Sequence, residues 1–169
     1  GSLTRQGADG TFLSDSLGRV CAALGRDQAA AAANSFLVSA DNAHAVHPNH
    51  PEYADATHRP RMNGGVVIKH GVRYATDGAA QAVFTALCQK AGVPVQHFAN
   101  RSDLMGGSTL GNISNAHVSV NTVDIGLAQL AMHSCFETAG ARDTDYLIRA
   151  MTAFYSASYR EEDGRLILG

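Results

Sequence analysis

The sequence predicts an α/β fold, a layered sheet flanked by helices. Three observations predict it. Short apolar runs, "SFLVSA", "GVVIK", "VPVQHFA" and "NTVDIG", have the length and continuity of strands buried on both faces. Longer amphipathic stretches such as "FLSDSLGRVCAAL" and "DGAAQAVFTALCQKAG" alternate with them. The connections are rich in glycine, proline and histidine. A length of 169 residues suits one domain with a real core, so residues 1–169 are read as one unit.

The elements follow in chain order. Residues 1–10 read as a polar, glycine-rich loop. From Thr11, Phe12, Leu13, Leu17, Val20, Cys21 and Leu24 fall on one helical face. The alanine-rich "DQAAAAAN" reads as a linker rather than a helical turn, and "SFLVSA" as a buried strand. Residues 42–64 lack periodicity, and a loop this long inside a domain tends to be functional. "GVVIKHGVRYAT" reads as two strands around a His70-Gly71 turn. A helix then closes at Gly92, "VPVQHFA" is the next strand, and "RSDLMGGSTLGNIS" is a glycine-rich loop entering a short helix. "HVSVNTVDIG" is a further strand. "LAQLAMHSCFE" and "RDTDYLIRAMTAFYSASY" read as closing helices, the second amphipathic through Leu147, Ile148, Met151 and Phe154. Residues 160–169 are expected to be a loose tail. Asp41, Arg101 to Asp103 and Asp124 to Gly126 fall at expected carboxyl ends of strands, where functional groups of α/β sheets gather.

Composition narrows the function. Charged residues make up 17% of the chain and the net charge is −2, so no basic stripe is available for a nucleic-acid backbone. No apolar run approaches the roughly 18 residues of a membrane span. Cys21, Cys88 and Cys135 are scattered among apolar residues, the usage of reduced, buried thiols in a cytoplasmic protein.

Five side chains are candidates for chemistry. Asp41 and His44 offer oxygen and nitrogen donors suited to zinc, or else cap and fasten a polar turn. His133 is either a ligand or a satisfied core histidine. Lys69 either faces a cleft and holds an acidic group or lies exposed on an edge strand, with Tyr74 just beyond it. The loop "SDLMGGST" either presents N–H groups to an anion or is a tight turn, and it lacks the lysine of a phosphate loop.

Their joint order changes the reading. The blocks "QGADGTFLSDSLGRV", "SFLVSADNAHAVHPN", "NGGVVIK", "RYAT", "SDLMGGSTLG" and "VDIGLAQLAMHS" resemble the aspartyl aminopeptidases, the M18 zinc metallopeptidases. The likeness runs from about residue 1 to residue 155. It implies a site of two zinc ions sharing a bridging aspartate. Asp41 resembles the ligand of one zinc and His133 the ligand of the other. His44 resembles a histidine that contacts substrate, Lys69 the lysine that meets an acidic side chain, and Tyr74 a tyrosine of the same pocket. The implied activity is removal of N-terminal Asp or Glu from peptides by a homo-oligomeric enzyme.

The chain departs from that pattern in several places. It reads "LMGGST" where relatives often have a cysteine in the loop, the Lys69–Tyr74 segment looks shorter, and "HPEYADATHRP" lacks a common lysine. In the family a zinc-binding histidine, the bridging aspartate and a Glu-Glu pair lie upstream, and a "G-S" like Gly1-Ser2 follows that pair. The resemblance thus implies a C-terminal portion of the catalytic domain, with the general base outside this chain and little hydrolysis alone. The alternative readings are a non-catalytic assembly or peptide-binding fragment with the same fold, and a zinc hydrolase of another amide.

Overall fold

A computed structural model describes residues 2–169; Gly1, the first residue of the Gly-Ser start, lies outside the described residues. Four strands form the central sheet: β1 (Phe36–Ala40), β3 (Val66–His70), β4 (Val95–Ala99) and β5 (Asn121–Gly126), in the order β1-β5-β3-β4. β1 runs parallel to β5 and β3 parallel to β4, whereas β3 and β5 are antiparallel. The two inner strands are nearly continuously buried, as their unbroken apolar runs require.

One face is covered by α3 (Gly78–Lys90) and α5 (Ala141–Ser156). Val66 and Ile68 of β3 and Val123 and Ile125 of β5 meet Phe84 and Cys88 of α3 and Ala150 of α5 there. α3 starts at Asp77, whose Oδ1 accepts the Ala80 N–H at 2.7 Å. Leu147 and Met151 of α5 pack on this core as the sequence predicts, and Phe154 stacks 6.1 Å from Phe36. Ile148 departs from the expectation and is exposed. The opposite face carries α4 (Leu110–Asn115) over β1 and β5, and a smaller cluster of Ala43, Val67, Phe98 and Ala128.

β1 and β5 do not stop together by accident. The Asp41 N–H donates to the Ile125 carbonyl at 2.9 Å, and both chains then break and continue side by side. Their continuations are β2 (Ala43–His44) and β6 (Ala128–Leu130), which with β7 (Thr138–Ala139) make a second, three-stranded sheet. Asn42 holds the break, its Oδ1 accepting the Leu127 N–H at 3.1 Å and its Nδ2 donating to Gln129 Oε1 at 2.6 Å.

Several expectations are corrected. "DQAAAAAN" is a helix, α2 (Gln28–Ala33), because the Asp27 side chain caps it on the Ala30 N–H. α1 (Phe12–Ala23) forms as the spacing predicts, yet none of its residues is buried. Residues after His70 form a turn rather than a second strand, since both edges of β3 are already bonded to β4 and β5. "LAQLAMHSCFE" is not a helix: its first half is β6, drawn into pairing with β2 and β7, and residues 131–136 are a turn. The supposed loose tail is a hairpin of β8 (Tyr159–Glu162) and β9 (Arg165–Leu168), turned by Asp163 and Gly164 at positive φ. Asp124 lies inside β5 rather than at its end. Cys88 alone among the cysteines is buried; Cys135 is exposed.

Candidate active site

A cleft of about 580 Å³ opens over the Lys69 face of the sheet, between the chain leaving β1 and the chain leaving β4, which run in opposite directions. Its lining includes all five candidate residues: Asp41, His44, Lys69, Tyr74 and His133. Chain segments 25 and more residues apart therefore converge on one concavity.

Lys69 forms its floor. It occupies β3 on the face opposite Ile68, so its stem runs beneath the cleft and its side chain is only 2% exposed. This contradicts the reading of an exposed edge lysine: β3 is an inner strand. The ammonium donates to the Asn42 carbonyl at 3.0 Å and stands 3.7 Å from Asp41 Oδ2. Burial pushes the Lys69 pKa below its ordinary value, opposed by the carboxylates of Asp41 and Asp124. Asp41 itself is about half exposed, so it keeps access to the cleft.

Tyr74 stands above Lys69, with the ammonium 5.7 Å from its ring centroid. Its ring meets Phe98 edge-on at 6.3 Å. Burial raises the phenol pKa, and a hydrogen bond with Asn100 works against that shift.

His44 sits on β2 and is held to its register by pairing with Gln129. Its pKa is lowered, first by partial burial, then by the charges of Lys69 and His133. His133 reaches the cleft from an exposed turn, not from a helix. Ala131 and His133 both have positive φ, at 56° and 67°, and the His133 N–H donates to Glu137 Oε1 at 2.6 Å. The histidine is therefore aimed outward by its backbone rather than packed in a core.

The glycine-rich loop contributes Leu104, Met105, Gly106 and Gly107 to the rim before Thr109 caps α4. Sequence reasoning missed Asn42 and Gln129, and it placed Asp124 at a strand end rather than inside β5. Asn42 lies inside the quoted block, between Asp41 and His44, and its fixed place in that block was the available signal.

A catalytic zinc normally takes three protein ligands and a water. In the arrangement the resemblance implies, Asp41 and His133 would supply one donor to each of two ions. Among the described residues no group of three His, Cys, Asp or Glu side chains is placed to hold a metal. The donors among the described residues therefore make no complete zinc site.

Comparison with known proteins fits this architecture. The model of the aminopeptidase I zinc metalloprotease (M18) family matches residues 1–155, and the chain belongs to that family. It is 46% identical over 161 residues to the probable M18 family aminopeptidase 2 of Clostridium novyi (strain NT), and 47% identical to its counterpart in Clostridium acetobutylicum. Each match covers 92% of this chain and 37% of the relative, so the chain spans little more than a third of their length. Among solved structures, it is similar to a chain of the Ape4 and Nbr1 complex, with a TM-score of 0.87 and 39% identity over 92% of this chain and 30% of that one. It is also similar to Saccharomyces cerevisiae mApe1, described as a dodecamer, with a TM-score of 0.80 and 32% identity over 91% and 35% of the two chains.

Proposed function

We propose that this chain supplies the acid-recognising half of a metallo-aminopeptidase site that removes N-terminal Asp or Glu from peptides. The carrying observation is Lys69, a buried ammonium on the floor of an open cleft beside Asp41. A fixed, poorly hydrated cation favours a carboxylate over a neutral side chain, because a neutral guest leaves the charge unpaired. Tyr74 closes one side of that position and keeps water from the ammonium. His44, with its lowered pKa, presents a largely neutral imidazole that can accept a proton from substrate or donate one to it.

Asp41 and His133 would each give one donor to a two-zinc centre. Zinc at such a centre polarises a scissile carbonyl and lowers the pKa of a bound water. The general base and remaining ligands are not assigned to any residue of this chain. Self-association of the whole protein is supported by the dodecameric relative. A cytoplasmic location is supported by three free cysteines.

The test is a hybrid in which this chain replaces the matching segment of the Clostridium acetobutylicum relative. With zinc, the hybrid should hydrolyse Asp- and Glu-anilides and leave their N-acylated analogues intact. Turnover of the acylated substrates at comparable rates would favour a hydrolase of other amides. A folded hybrid that binds glutamyl peptides without cleaving them would favour the non-catalytic fragment.

A further inference from the structure

We propose that Asp124 is a positioning residue that sets the acid-recognising pocket by fastening two of its walls to the strand beside Lys69. The inference rests on the reading of Lys69 above.

Asp124 is fully buried, yet it does not belong to the core. Its neighbours Val123 and Ile125 point into the helix-covered cluster, so the carboxylate points to the cleft face of the sheet, as Lys69 does. Oδ2 accepts the Ala75 N–H at 2.6 Å, and Oδ1 accepts the Thr109 hydroxyl at 2.9 Å. The Asp124 N–H in turn donates to Thr76 Oγ1 at 2.8 Å. Ala75 and Thr76 directly follow Tyr74, and Thr109 ends the glycine-rich loop of the rim. One residue therefore ties the tyrosine wall and the loop wall to β5.

The fit around the carboxylate is close. A Cβ at Gly111 would stand 2.4 Å from Asp124 Oδ1, so glycine is what lets α4 seat against it. Segment 71–76 has no strand partner, and the Tyr74 N–H otherwise bonds only within its own turn, to the Gly71 carbonyl at 3.0 Å. Without the carboxylate the tyrosine wall loses its anchor, water reaches Lys69, and a solvated ammonium discriminates less between charged and neutral guests.

Asp143 provides the contrast. It is also fully buried and accepts two backbone N–H groups, from Asn63 at 2.6 Å and Gly65 at 3.0 Å, but neither of these partners lines the cleft, whereas Thr109, a partner of Asp124, does. Its role is to hold the start of β3 to α5. A purely structural carboxylate should behave like Asp143; a positioning one should not.

The experiment is a nuclear magnetic resonance titration of the full chain with Glu-Ala-Ala and with Gln-Ala-Ala, read as the ratio of their dissociation constants. That ratio does not depend on how much of a sample is folded. The wild-type chain should favour the glutamyl peptide by about tenfold, the scale of one charge-assisted hydrogen bond. Lys69→Met should bring the ratio near one. Asp124→Ala should lower it at least about threefold. Asp124→Asn can still accept from Ala75 and donate to Thr109, and should keep it. Asp143→Ala should lower stability and leave the ratio alone. Should Asp124→Ala not fold, Thr76→Val and Thr109→Val each remove one tether and should each lower the ratio. If these variants keep the wild-type ratio while Lys69→Met abolishes it, Asp124 is structural and the inference is wrong. A wild-type ratio near one, or one that survives Lys69→Met, overturns the pocket reading itself and the inference with it.

Discussion

Lys69 and Asp41 meet across the cleft floor at 3.7 Å, one side chain 2% exposed and the other 49%. The asymmetry decides the energetics. Asp41 retains solvent and needs no partner, whereas Lys69 carries the desolvation cost. Replacing a buried charge by an apolar side chain of similar length is often neutral or stabilising when the remaining partner can hydrate. Against this stands the lost charge-assisted bond to the Asn42 carbonyl, about 1.5 kcal/mol. Lys69→Met should therefore leave the melting temperature unchanged or raise it, while acid recognition is lost. Calorimetry checks it; a drop of several degrees would show that Lys69 is there for stability.

Gly126 governs where Asp41 sits. A Cβ at Gly126 would stand 2.0 Å from the Asp41 carbonyl oxygen and 2.8 Å from Asn42 Cα, both backbone atoms that cannot swing aside. Gly126→Ala should destabilise by about 1–3 kcal/mol in urea unfolding and weaken glutamyl-peptide binding at the same time. A variant with wild-type stability and binding would mean that the β1–β2 break is not pinned there.

Acid should weaken the fold through paired histidines. His70 Nε2 and His97 Nδ1 are 2.9 Å apart on neighbouring strands. Both pKa values are lowered from 6.5, first by burial, then for His70 by His97 and His58 and for His97 by His58. The folded chain thus binds fewer protons than the unfolded chain below pH 6.5, and stability falls as pH drops from there toward the folded values. The melting temperature should decline between pH 7 and 5, and His97→Asn should flatten that slope. An equal slope in the variant would place the acid sensitivity elsewhere.

Thiol chemistry should separate the cysteines. Burial pushes the Cys88 thiol up to about 12 within the α3 core, while Cys135 is exposed in the turn that follows His133. Iodoacetamide at pH 8 should modify Cys135 first and leave Cys88 unmodified until the chain unfolds. Mass spectrometry of the alkylated peptides reads the order directly.

The sequence was legible where one physical signal acted alone. Continuous apolar runs marked β1, β3, β4 and β5, and helical spacing marked α1, α3 and α5. It misled where partners decide. Ala128–Leu130 lies in a stretch that reads as helix in sequence but pairs with β2 and β7, and residues beyond His70 had no free strand edge to join. The tail is different, because Asp163-Gly164 is a hairpin signal that the sequence did carry. At the site, the ordered motifs singled out Asp41, His44, Lys69, Tyr74 and His133, and all five line one cleft. Asp124 was read as lying at a strand end; only the packing of Thr109, Ala75 and Gly111 around it reveals a buried anchor inside β5.

The central claim is that Lys69 selects an acidic first residue. Its most direct test is the specificity-constant ratio for Glu-anilide over Gln-anilide in the zinc-loaded hybrid, with and without Lys69→Met. These substrates differ by one charge and almost nothing in shape. The account predicts a preference of about tenfold or more for Glu that falls to near one in the variant. A preference for Glu that Lys69→Met leaves intact would contradict it.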